Sequence, residues 1–279
     1  MGDSYALIFL NSALAKGDAI APLSLLFLFM ARMLPIIAQA PFFGAKVLPH
    51  PVKIVFSLCM FVIFLPHLLA VTTEPITFNP YLVLLFMKEF FIGLLMGYII
   101  SMPFAVVQSA GIFIDHQRGG ASLMVNDPTI QNQSSPLGTL FNYVLIYMFF
   151  VIDGPFMILD SISQSYTVIP PNQFFNPQFF NENTPFWTMQ VQLFNKVMVL
   201  SIQLATPALL AILMTDVFLG IANRLAPQVQ ITFLGMPLKS LLALVIVCLG
   251  FTVFNSEVLK QTQAWVTQLN QMIEMFNPW

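Results

Sequence analysis

Charge is what this chain most conspicuously lacks. Of its 279 residues only 8% are Asp, Glu, Lys or Arg, against 58% hydrophobic residues. A soluble domain carries about 25% charged residues, so an ordinary soluble fold is excluded and a membrane or a large assembly is implied. The net charge of −2 gives no electrostatic basis for binding nucleic acid. There are two cysteines, Cys59 and Cys248, each alone in an apolar run. Such residues are expected to be small buried hydrophobes rather than disulfide halves or metal ligands. His50, His67 and His116 show no metal-ligand spacing. Nucleophile elbows, phosphate-binding glycine loops and His-Glu-x-x-His motifs are missing too. Asp115 and His116 are adjacent, so on a helix they point about 100° apart and cannot act as a catalytic pair. No enzyme activity and no cofactor are expected. Met1 to Tyr5 lack a basic n-region, so no cleavable signal is expected either.

What is present is apolar length. Six segments run approximately over residues 22–41, 52–71, 81–114, 137–159, 190–221 and 239–254. Most reach the ~20 residues that span a bilayer as a helix, and none shows the period-2 alternation of a barrel strand. An all-α chain is predicted. Yet charges interrupt these segments: Arg32, then Lys88 and Glu89, then Lys196 and Asp216. A charge at the bilayer centre costs at least ~2.5–3.5 kcal/mol. Lys196 and Lys239 can snorkel from helix ends, whereas Arg32 and Asp216 require partners within protein. Asp216 and Arg224, eight residues apart, share a helical face and are expected to contact partners or each other. Gly93, Gly97, Ser101, Ala105 and Ser109 form a stripe of small residues at every fourth position, which predicts close helix packing.

Two stretches differ from the rest. Residues 166–187 hold Pro170, Pro171, Pro177 and Pro185 and repeat Gln-Phe-Phe-Asn, so no regular helix is expected there. Their phenylalanines are expected to dock on neighbouring subunits or to lie at lipid headgroups. After Asn255, the residues Val258, Trp265, Leu269, Met272 and Phe276 line one stripe of an amphipathic helix, residues 256–279, expected to pack on a partner.

The most unusual stretch is a polar island between two uncharged runs, residues 90–114 and 128–152. It reads Asp115, His116, Gln117, Arg118, Gly119, Gly120, Ala121, Ser122, continues through Leu123, Met124, Val125, Asn126, Asp127 and Pro128, and closes on Ser135, Pro136, Leu137 and Gly138. A polar, glycine- and proline-punctuated stretch persists in so apolar a chain only where protein or water surrounds it.

Three blocks, in order, carry a resemblance. The first is Arg32-Met33-Leu34-Pro35 with Ala40-Pro41-Phe42-Phe43-Gly44 and Leu48-Pro49. The second is Lys88-Glu89-x-x-Ile92-Gly93, then Gly111 to Gly119, Asp127-Pro128 and Ser135-Pro136-Leu137-Gly138. The third is Pro207 and Asp216-x-x-x-Gly220-x-x-Asn223-Arg224-x-Ala226-Pro227-Gln228, ending in Leu234-Gly235-Met236-Pro237-Leu238-Lys239. Together they resemble the FliR/SctT family of type III secretion export-apparatus proteins, over approximately residues 20–255. The Ile-Asp-x-Gln-Arg-Gly form is more similar to the injectisome branch than to the flagellar one, with His116 in place of the commoner Asn.

The resemblance implies hydrophobic helical hairpins and broken helices. It implies a fusion of a FliP/SctR-like part, residues 20–189, with a FliQ/SctS-like hairpin, residues 190–255, within a conical helical pore assembly in the bacterial inner membrane. It implies FliP/SctR-like, FliQ/SctS-like and FlhB/SctU-like partner subunits, an SctV-like export gate beneath, and unfolded proteins as cargo. It makes residues 115–137 a loop that plugs the closed pore, with Ser122 to Val125 sealing it by apolar contact. Gly93, Gly97, Ser101, Asp216, Arg224 and Pro227 are then expected at subunit packing sites. A stand-alone secondary transporter is the rival reading, since intramembrane charges and proline-broken helices are its signature.

Overall fold

A computed structural model describes residues 20–43, 48–73, 76, 79–119, 135–175, 185–225 and 231–276. All regular structure among them is helical. The seven α-helices are α1 (Ala21–Gln39), α2 (His50–Val71), α3 (Tyr81–Gln117), α4 (Pro136–Val151), α5 (Gly154–Val168), α6 (Pro185–Leu225) and α7 (Ile231–Met275). A 3-10 turn, Pro41–Phe43, follows α1.

Local chemistry sets where the helices start and bend. Pro22, Pro51, Pro136 and Pro155 stand in the first turns of α1, α2, α4 and α5, where no intrahelical N–H is needed. The apolar segment 137–159 is not one straight helix. It breaks between α4 and α5. Asp153 makes the break in the left-handed region, at φ 57°, a conformation Asp tolerates better than most side chains.

Among the described residues five helices, or six spans counting the bent pair as one, are long and apolar enough to cross a membrane. Helices α3, α6 and α7 contain 37, 41 and 45 residues. At ~1.5 Å per residue they measure about 55–70 Å, well beyond the ~30 Å hydrocarbon layer. Residues 256–275 are the second half of α7, not a separate helix as their change of composition suggested. Helix propensity does not change at Asn255; only the apolar face narrows.

The chain divides into two compact units that interleave along the sequence. Residues 1–101, 153–191 and 264–279 make the first; residues 102–152 and 192–263 make the second. In the first, Phe29 lies 5.5 Å from Phe61 and 5.9 Å from Phe64 and stacks on Tyr166. The end of α7 packs here within its own chain. Phe276 meets Phe175 and Phe186, Gln190 donates to the Met272 sulfur, and Ser161 donates to Asn270. Phe175 is therefore buried by intramolecular contact, while Phe174 stays half exposed. Phe179 and Phe180 lie outside the described residues. In the second unit Phe104 meets Phe149 and Phe141 meets Phe254.

Much of the apolar surface is uncovered. In the best membrane-spanning window of α1 61% of residues are buried, but in that of α7 only 6%. Cys59 and Cys248 lie on such open faces, contrary to the buried placement expected of them. Composition cannot separate a core-facing from an outward-facing position when both are apolar.

Candidate functional site

The foot of the polar island is built by three helices of the second unit. Helix α3 runs through Asp115, His116 and Gln117, so the island's first residues are helical and the non-helical stretch begins at Arg118. Gly119, at φ 87°, ends the turn in the left-handed region that a Cβ would strain. Helix α4 starts at Pro136, with Ser135 as its N-cap.

Asp115 ties these ends together. Its carboxylate is 1% exposed. One oxygen accepts from Arg118 Nε at 2.8 Å and pairs with Nη2 at 2.7 Å. The other accepts from the Ser135 hydroxyl and from the Leu137 N–H, the latter at 3.0 Å. Ser135 Oγ in turn accepts from Gly138 N–H at 2.9 Å. The carboxylate thus satisfies orphan donors of the first turn of α4 and meets the positive end of that helix. Arg118 Nη1 reaches a third helix, donating to Ser240 Oγ of α7 at 3.1 Å.

Two glycines let α3 and α4 come this close. A Cβ on Gly111 would sit 2.7 Å from the Leu137 carbonyl carbon, and one on Gly138 would sit 2.9 Å from the Gln108 carbonyl oxygen. The helices cross backbone to backbone at this point. A cavity of about 460 Å³ opens beside it, lined by Ile114, Phe141, Pro207, Gly250 and Glu257 among others.

The predicted site residues separate into groups. Asp115, Arg118 and Ser135 converge in the foot; Pro136 is the exposed first residue of α4; His116 and Gln117 are exposed on the last turn of α3. Gly120, Ser122, Leu123, Met124, Val125, Asp127 and Pro128 lie outside the described residues, as does Pro227. Gly93 and Gly97 pack on the chain's own α1. A Cβ on Gly93 would stand 2.9 Å from the Arg32 carbonyl carbon, and one on Gly97 3.0 Å from the Pro35 carbonyl oxygen. Ser101 donates to the Tyr98 carbonyl and is partly exposed. The stripe drifts off the contact because four residues overshoot a turn of 3.6. Asp216 pairs with Lys239 of α7 rather than with Arg224, which is exposed. Ser240, Gly111 and Gly138 complete the foot without having been singled out for it. Gly111 and Gly138 lay within the matched blocks, whereas nothing local marks Ser240.

In the first unit the buried charges form a second cluster. Arg32 and Glu89 are both fully buried. Their fork is bidentate, Nε to Oε2 at 2.5 Å and Nη2 to Oε1 at 2.8 Å. The guanidinium also donates to Ser165 Oγ and the Ile169 carbonyl, and its carbon lies 3.9 Å from the Tyr166 ring centre. Lys88 Nζ lies 2.6 Å from Glu89 Oε1. The partner that Arg32 requires is thus 57 residues away in the same chain.

Helices of this length and polarity, with ion clusters sealed inside and apolar faces left open, define a multi-pass helical membrane protein. The family model "Bacterial export proteins, family 1" matches residues 23–265, and the chain belongs to this family, that of FliR and SctT. Among curated relatives, Yop proteins translocation protein T of Yersinia pestis is 34% identical over 171 residues, covering 60% of this chain and 64% of the relative. The secretion system apparatus protein SsaT of Salmonella typhimurium is 32% identical over 165 residues, 58% and 61% of the two chains. The chain therefore spans under two thirds of each of these relatives. The flagellar biosynthetic protein FliR of Bacillus subtilis is 30% identical over 227 residues, 80% of this chain and 85% of the relative. Identity is somewhat higher to the injectisome names than to the flagellar one. Family and helices together place the chain in the bacterial inner membrane.

Proposed function

We propose that the chain is a core subunit of a type III secretion export gate, and that it helps form the pore through which unfolded proteins enter. In this reading the segment between Asp115 and Leu137 plugs the closed pore. The observation that carries it is the foot: a polar segment inside an apolar chain has both its ends clamped by one buried carboxylate. A plug needs such a base, because a loop that must block a passage has to return to one place. Family membership supports the setting. The helices longer than a bilayer and the open apolar faces support an assembly that extends beyond the membrane plane. FliP/SctR-like and FliQ/SctS-like subunits would cover those faces, with an FlhB/SctU-like subunit at the entrance and an SctV-like component beneath. Division into a FliP/SctR-like part, residues 20–189, and a FliQ/SctS-like hairpin, residues 190–255, belongs to the same proposal. Catalysis forms no part of it.

The test is the composition of the purified complex. The gate reading expects copurification with two other small apolar proteins at unequal copy number. A stable monomer or homodimer, stabilised thermally by a small ligand, would instead establish the transporter reading.

A further inference from the structure

Among the described residues the cluster in the first unit contains two cations and one anion. Arg32 and Glu89 satisfy each other, which leaves the ammonium of Lys88 in surplus. Lys88 is buried within the apolar span of α3. Its compensation comes from backbone. Nζ donates to the carbonyls of Pro170 at 3.0 Å, Pro171 at 3.4 Å and Gln173 at 2.8 Å, beside Glu89 Oε1 at 2.6 Å. Arg32 takes the neighbouring Ile169 carbonyl. All these acceptors except Glu89 belong to the turn after α5.

That turn is rich in acceptors and poor in donors. Pro170 and Pro171 have no N–H, and Gln173 N–H is turned inward, donating to the Pro170 carbonyl. The Asn172 side chain does not hold it, because both its polar atoms are buried without a hydrogen-bond partner. Oxygen atoms converging from backbone carbonyls and a carboxylate are the donor set of a monovalent cation site.

We propose that the Lys88 ammonium is a built-in monovalent cation that positions turn 169–173, and that removing the amine leaves a site for a small primary ammonium ion. Lys88 is a positioning residue: it acts by charge and by donors pointing in several directions at once. An apolar side chain of equal length cannot replace it.

The experiment uses the full chain in detergent-solubilised membranes, with thermal aggregation as readout. Lys88→Ala is expected to lower the apparent melting temperature by roughly 5 °C or more. Methylammonium chloride should restore at least half of the loss, and tetramethylammonium chloride at equal ionic strength should restore none, having no N–H to donate. Lys88→Met should be as unstable as Lys88→Ala and respond to neither salt. Wild-type melting of Lys88→Met, or equal effects of the two salts on Lys88→Ala, overturns the proposal. If Lys88→Ala does not accumulate, Lys88→Arg and Lys88→Met decide. Higher accumulation of the Arg variant supports the proposal, and equal or higher accumulation of the Met variant overturns it.

Discussion

The two buried charge clusters solve the same problem in opposite ways. In the first unit, surplus positive charge around Arg32 and Lys88 is met by carbonyls of a donor-poor turn. In the second, the Asp115 carboxylate is met by Arg118 and by the open N–H groups that begin a helix. A chain with so few charges uses the two ends of backbone polarity, carbonyl oxygens for cations and N-terminal amides for an anion. The difference lies in what is held. The first cluster rivets α1, α3 and the turn after α5 into one body. The second ties the end of α3 to the start of α4 and, through Arg118, to Ser240 of α7.

The comparison can be broken most easily at its strongest point. Glu89→Ala strips both buried cations of the one anion that pairs with them among the described residues. It should cost about 3–5 kcal/mol, read as loss of accumulated chain or a collapsed melting transition. Wild-type behaviour would mean the cluster is not a rivet. Asp115→Asn keeps the shape but loses the charge on four hydrogen-bonded contacts. About 1.5–3 kcal/mol is expected, together with an ion leak of the assembled gate, because the foot loosens while the rest stays folded. Urea titration with parallel leak measurements separates the two effects. Ser135→Ala removes one side-chain cap and should cost about 1 kcal/mol, measured the same way. Asp216→Ala sits at the bottom of the scale. The pair with Lys239 is partly exposed, so its contribution is about 0–1 kcal/mol. A loss of assembly with unchanged melting would sharpen Asp216 into a contact for another subunit.

How much of this was written in the chain depends on the range of the interaction. The helices were legible because each is a long apolar run, and the predicted segments fall inside the observed helices apart from the bend at Asp153 and the end of segment 22–41, where α1 stops at Gln39 ahead of Pro41. Arg32 was legible as a charge in need of a partner, but not its partner, because no local pattern links residues 57 apart. The glycine stripe announced a close approach without saying whose backbone would come. Gly93 and Gly97 found it in α1 of the same chain. The tail showed the same limit, since Trp265, Leu269, Met272 and Phe276 were rightly read as one buried stripe but not as packing at home. Cys59 and Cys248 failed for a different reason. In lipid an outward apolar face costs nothing, so hydrophobicity stops reporting the inside. The island's edges, by contrast, were plain. Asp115, Arg118, Ser135 and Gly138 lie within four residues of a helix terminus, where capping chemistry is local.

In the proposed gate a segment clamped at Asp115 closes a passage. The direct measurement is ion permeability of membranes that carry the assembled complex with residues 120–126 deleted. The deletion leaves Asp115, Arg118, Ser135 and Ser240 in place, so assembly should be intact while small ions leak. Intact assembly with unchanged permeability would contradict the plug and leave the clamp without the role assigned to it.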